Sequence, residues 1–290
     1  GPFLRDDLAA ITLQALATDK KGGETYLLKS LIDTGAVDAT KAKNLTEKIE
    51  NYRALTRATD AVDSVSQDTN SLTQARGTVQ YAGDTMDVSF DSSTREKIVL
   101  RNGKVQLSSE TKITQNGETT ESGTWIKDGW LYLYTKDGGV TAKNKVAVDD
   151  SMTDADLAEV ESNQVDKVGL SAIKSISVVK DGLTSYYSVD VDASAAAFLS
   201  GILENYVDED DKDLTSIEVS DIKVTYTVNG QGVLGAMTTS FRLKIVYASG
   251  EFQGDPMVMD MKYTVATNIL ATGNAVSITF PDFSDYVILN

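Results

Sequence analysis

The chain has no cysteine and no histidine. Without cysteine there is no disulfide, no thiolate nucleophile and no cysteine zinc site. Without histidine there is no Ser-His-Asp or Cys-His catalysis, no histidine metal ligand and no ordinary general base near neutral pH. Carboxylate, lysine and tyrosine chemistry remain. Positive charge is also short: 27 Lys and Arg against 43 Asp and Glu give a formal net charge of -16. Binding to phosphate draws on Lys and Arg that replace counterions, so nucleic acid and anionic membrane surfaces are poor partners. No run of about 18 apolar residues occurs, so no stretch reads as a spanning helix. Gly1-Pro2 resembles a protease-cleavage scar, which leaves room for a leader or anchor upstream.

A chain of 290 residues with 41% hydrophobic content can build a substantial core, as one large or two medium domains. The clearest pattern runs from Asp221 to Pro281. Ile222, Val224, Tyr226 and Val228 alternate with polar residues up to Asn229-Gly230, and Phe241, Leu243, Ile245 and Tyr247 do the same. Met257, Met259, Met261, Tyr263 and Val265 follow, and Val276, Ile278 and Phe280 continue the period as a last strand. Strict alternation between turn residues predicts an antiparallel meander with one apolar face.

The first part of the chain reads as helical. Leu4, Leu8, Ile11 and Ala15 recur at helical spacing, with Lys20-Lys21-Gly22-Gly23 as a stop. A short helix from about Glu24 to Thr34 ends at Gly35. Asp38 can cap a longer helix with Leu45, Ile49, Tyr52 and Leu55 along one stripe, continuing to Val62. Ser66 to Thr73 is small and polar and reads as a boundary, a linker or a loop. The division expected is a helical segment 1–70 followed by a β-rich unit 71–290.

Beyond it, Asn102-Gly103, Asn116-Gly117, Asp128-Gly129 and Asp137-Gly138 are hairpin signals, because these dipeptides tolerate the positive φ of tight turns. Leu131 and Leu133 point one way while Trp130, Tyr132 and Tyr134 point the other, which suggests that both sides of that strand are covered. Thr153 to Gln164 reads as a surface helix. Ser175 to Val179 and Leu183 to Val191 form a hairpin. Ala193 to Tyr206, with Phe198, Leu199, Ile202, Leu203 and Tyr206 on one side, reads as an amphipathic helix made to lie on an apolar surface.

The phrases "ESGTWIKDGWLYLYTKDG", "ISVVKDGLTSYYSVDVD", "VTYTVNGQGVLGAMTTSFRLKIVY", "MVMDMKYTVATNI" and "VSITFPDF", in this order with helices between them, resemble the LolA-like fold. The likeness is to uncharacterised extracytoplasmic lipoproteins of Gram-positive bacteria and covers roughly residues 76–290. The resemblance implies an α+β fold: a strongly curved antiparallel sheet, an incomplete barrel, covered by helices and here preceded by an N-terminal helical segment. It also implies a cavity that holds acyl chains and an extracytoplasmic, membrane-anchored location. Cavity candidates are Leu131, Leu133, Val224, Tyr226, Phe241, Leu243, Met257, Met259, Met261 and Tyr263 from strands, with Phe198, Ile202 and Tyr206 from the helix. A flexible thioether stripe suits ligands of irregular shape. The same residues equally describe a filled core.

Other stretches carry less. Asp208 to Asp213 lacks the glycine and terminal glutamate of a calcium loop. "NGQGVLGA" at Asn229 to Ala236 lies between strands, the wrong context for a nucleotide. Trp125 and Trp130 flank Asp128-Gly129 and could make an aromatic patch for a carbohydrate or simply pack. Asp190 and Asp192 share one strand face, where helix capping competes with acid-base work. No catalytic residue, metal site or cofactor is expected. The expected function is a non-enzymatic envelope binding protein for a lipid or other apolar ligand, with an envelope protein partner for the N-terminal helices. The alternatives are a structural or interaction module with a filled core and a hydrolase using Asp190 and Asp192.

Overall fold

The structure is a computed structural model that describes residues 5–21, 25–63, 65–101, 104–148, 168–192, 214–247 and 256–289. Three helices open the chain: α1 (Arg5–Ala17), α2 (Leu27–Asp33) and α3 (Ala39–Asp63). The Asp38 carboxylate accepts the Lys41 backbone N–H at 3.0 Å and so caps α3, while Gly35 takes φ +77° just past α2. Ile49, Leu55 and Val62 are buried along α3, as their spacing predicts. In α1 the expected stripe is wrong: Leu8 and Ile11 are exposed, and Leu13, Leu16 and Ala17 pack inward instead. Apolar residues occur all round α1, so spacing does not select its buried side.

Twelve strands follow among the described residues. The first meander comprises β1 (Gln67–Tyr81), β2 (Asp84–Arg101), β3 (Lys104–Gln115), β4 (Glu118–Lys127), β5 (Trp130–Asp137) and β6 (Val140–Ala147). The second comprises β7 (Ile173–Asp181), β8 (Thr184–Val191), β9 (Leu214–Val228), β10 (Leu234–Tyr247) and β11 (Met257–Thr272), and β12 (Val287–Ile288) closes the chain. All lie in one sheet in the order β12-β6-β5-β4-β3-β2-β1-β11-β10-β9-β8-β7. Every pairing is antiparallel except β12 with β6. The ends do not meet, so this is the unclosed, incomplete barrel that the resemblance implies. The hairpins turn on Asn116-Gly117 and Asp128-Gly129, all with positive φ, and a further one on Ala82-Gly83.

Two expectations need correction. Residues 67–73 are no linker: they begin β1, which pairs with β2 on one side and β11 on the other. Its first residues are polar although Asp68 and Thr69 are buried, and further along it is small at Ala75 and Gly77, where Tyr263 and Met261 lie opposite. A Cβ on Gly77 would stand 2.0 Å from the Asp260 carbonyl oxygen and 2.8 Å from the Met261 Sδ. Val276 to Phe280 is not a strand either; it leaves the sheet after a 3-10 turn (Gly273–Ala275) and runs across one face.

Cover by helices is partial. Among the described residues, α3 packs on β7, β9 and β10, while α1 packs against α2 and a 3-10 turn at Leu170–Ala172. The expected helices Thr153 to Gln164 and Ala193 to Tyr206, with Phe198, Ile202 and Tyr206, lie outside the described residues, as do Asn102-Gly103 and Asp208 to Asp213. No described helix is long and apolar enough to cross a membrane.

Two outcomes test this packing. Gly77→Ala pushes a methyl group against backbone that cannot yield, and should destabilise by about 1–3 kcal/mol in urea unfolding. In the helical segment, burial and a hydrogen bond to Glu50 push the Tyr26 hydroxyl up to about 12. The unfolded tyrosine ionises near pH 10. Its contribution is therefore complete below that pH and lost as the pH rises towards about 12. Thermal melts across this window should fall less steeply for Tyr26→Phe than for the parent.

Candidate binding cleft opposite the filled face

Side chains of directly opposed residues in an antiparallel ladder share a face. Met261 is opposite Leu243 and Gly77, Met259 is opposite Ile245 and Val79, and Tyr263 is opposite Phe241 and Ala75. Across the first meander the same face carries Phe90, Ile98, Leu107, Ile126, Leu131 and Leu133. Sequence alternation thus placed the strand candidates on one face of one sheet.

The structure gathers Val224, Tyr226, Phe241, Leu243, Met261 and Tyr263 into one buried cluster with Leu55, Ala58 and Val62 of α3. The Phe241 and Tyr263 rings stack at 5.1 Å. Met259 packs on this cluster half-buried, and Met257, Leu131 and Leu133 are half-buried outside it. Where α3 meets the sheet, Tyr52, Leu55, Val168, Val189 and Tyr226 bound a void of about 10 Å³. That is room for about one water at most.

The opposite face is different. On β4 and β5 it carries Trp125, Tyr132 and Tyr134, and the C-terminal segment crosses it. Phe283 stacks on Tyr132 at 3.7 Å with the rings 11° apart, and Tyr286 meets the Tyr132 ring edge-on at 5.5 Å. Lys127 lies over the Phe280 ring, Lys143 donates to Asp285 at 2.6 Å, and β12 then adds to β6. One side of β5 is thus covered, while Leu131 and Leu133 on the other stay half-buried. Trp125 needs the glycine two residues before it, since a Cβ on Gly123 would stand 2.1 Å from the indole ring.

Between this segment and the strands lies a cleft of about 470 Å³. Its charged lining is Arg95, Lys112 and Lys143 with Glu110, Glu121 and Asp282, three of each sign. Ser93 and Tyr134 add hydroxyls, and the buried rings of Trp125 and Tyr286 border it. Several of these groups are held in place. Arg95 donates to Asp68 at 2.7 Å, and the Ser284 backbone N–H and hydroxyl hold the Asp282 carboxyl below the usual carboxylate range. The hydrogen bond to Asp285 raises the Lys143 ammonium, and burial raises the Tyr286 hydroxyl. Trp125 Nε1 is buried and has no hydrogen-bond partner among the described residues.

Sequence reasoning missed the cleft because Glu110 and Lys112 sit at polar positions of β3 and read as solvated. The available signal was the aromatic run on the nominally polar side of β5. The other acidic candidates are engaged: Asp190 accepts from Ser175 at 2.7 Å, and Asp192 pairs with Lys174 at 3.8 Å. Asn229 accepts the backbone N–H of Gln231 and of Val233, so "NGQGVLGA" is a turn closed on itself.

No family model and no curated relative matches the sequence. Among solved structures, the chain is similar to a DUF1329 family protein from Desulfovibrio piger at 12% identity, covering 81% of this chain and 96% of that one with a TM-score of 0.22. It is similar to the ywiB protein from Bacillus subtilis at 10% identity, covering 72% and 97% with a TM-score of 0.18. It is also similar to an outer membrane lipoprotein-sorting protein domain from Vibrio parahaemolyticus at 8% identity, covering 73% and 87% with a TM-score of 0.16. Scores of this size carry no argument about function, and the architecture stands on the strand order alone.

Gly123→Ala should force the Trp125 ring out of place and open the aromatic stack. The expected outcome is a changed near-ultraviolet circular dichroism spectrum and red-shifted tryptophan emission, with far-ultraviolet signal retained.

Proposed function

We propose that the chain is a non-enzymatic binding protein of the cell envelope, with a filled core on the methionine face and its ligand-facing surface on the other. One contrast supports this: a void of about 10 Å³ where α3 meets the sheet against about 470 Å³ in the cleft. Charged groups line that cleft, but each acidic candidate for catalysis is tied to a neighbouring donor rather than to a second carboxylate. The extracytoplasmic location, the anchor and the kinship with Gram-positive lipoproteins rest on the sequence resemblance. In this reading the helical segment, whose α3 packs on β7, β9 and β10, caps one end of the sheet and offers its outer side to an envelope protein.

A second reading keeps the apolar ligand. Leu131, Leu133, Met257 and Met259 are only half-buried, which favours an acyl chain lying along that face. A dansylated C11 fatty acid separates the two. The filled core predicts no saturable fluorescence change and no lipid in an organic extract of the purified protein. Saturable binding that is lost in Met259→Glu would sink the filled-core reading.

A further inference from the structure

We infer that the cleft between the C-terminal segment and strands β2 to β6 takes an uncharged carbohydrate, an inference that rests on the binding role proposed above. Its volume, about 470 Å³, falls within the range of small-molecule sites, roughly 300–1,000 Å³. The charge pattern then narrows the ligand. In a chain of formal net charge -16, the lining of this cleft is balanced, with three cations facing three carboxylates. A phosphate or carboxylate ligand meets as much repulsion as attraction there. An acyl chain would strip water from six charged groups and return no hydrogen bond to any of them.

A polyol fits both signs at once. Each hydroxyl donates to a carboxylate such as Glu110 and accepts from an ammonium or guanidinium such as Lys112 or Arg95. The C–H face of a pyranose ring is apolar and lies flat on aromatic surface, which the half-buried Tyr134 supplies in the same walls. Part of the lining is also fixed in advance. Asp68 holds Arg95, Asp285 holds Lys143 and Ser284 holds Asp282, so little side-chain ordering is left for a ligand to impose.

The test is calorimetric titration of the protein with maltotriose, cellotriose and the trimer of N-acetylglucosamine, alongside glycine betaine and inorganic phosphate. At least one saccharide should bind with a Kd at or below about 1 mM. Tyr134→Ala and Lys112→Gln should each weaken it by about tenfold while the melting temperature of Lys112→Gln, an exposed site, stays that of the parent. Saccharide binding unchanged in both variants overturns the assignment to this cleft. Binding of betaine or phosphate in place of any saccharide, with the same sensitivity to Tyr134→Ala, overturns the carbohydrate class and leaves the cleft as a binding site. Silence from all five probes overturns both.

Discussion

Two meanders become one sheet through a single ladder. Strands β1 to β6 are consecutive neighbours, and so are β7 to β11, yet the two runs touch along the sheet only where β1 lies against β11. That ladder joins residues 67–80 to residues 258–272, the two ends of the β region. It is tight because Ala75 and Gly77 leave room for Tyr263 and Met261, and cross-strand hydroxyls such as Ser71 and Thr267, 2.9 Å apart, bind its edge. Without it, α3 would have half a core to cover, and the C-terminal segment could not be carried back from β11 to the far edge of the first meander.

The two faces of the sheet divide the work. One is apolar across both meanders and is buried against α3 at the β7 to β11 end. The other is charged along β10 and β11 and turns aromatic at β4 and β5, where Phe283 and Tyr286 lie on Tyr132. A sheet with one dry face and one wet face is common. Here the wet face is itself half-covered, and the cleft lies between that cover and strands β2 to β6.

Much of this was legible in the sequence. Alternation and Asn-Gly or Asp-Gly turns located most strands of both meanders, and Asp38 announced α3 by its cap. The apolar candidates from Leu131 to Tyr263 do share a face. What could not be read were the places where side-chain size, not polarity, decides. β1 looks like a linker because its buried positions are Asp68, Thr69 and Ala75, polar or too small to register as a hydrophobic period. The segment from Val276 to Phe280 alternates like a strand, yet it binds through rings rather than through its backbone. The cleft escaped for a third reason: Arg95, Glu110 and Lys143 belong to three different strands, and only register brings them together.

The sheet's ends are unequal. β6 receives β12 as a two-residue parallel strand, and Leu289 donates a further backbone bond to Lys145. At the other end, β7 has no strand on its outer side among the described residues. An exposed strand invites another chain to continue the hydrogen-bond ladder. Linear polymers need two such invitations per molecule, one to give and one to receive. With β6 blunted by a two-residue strand and β7 full length, the two edges of this sheet are unequal templates for such pairing.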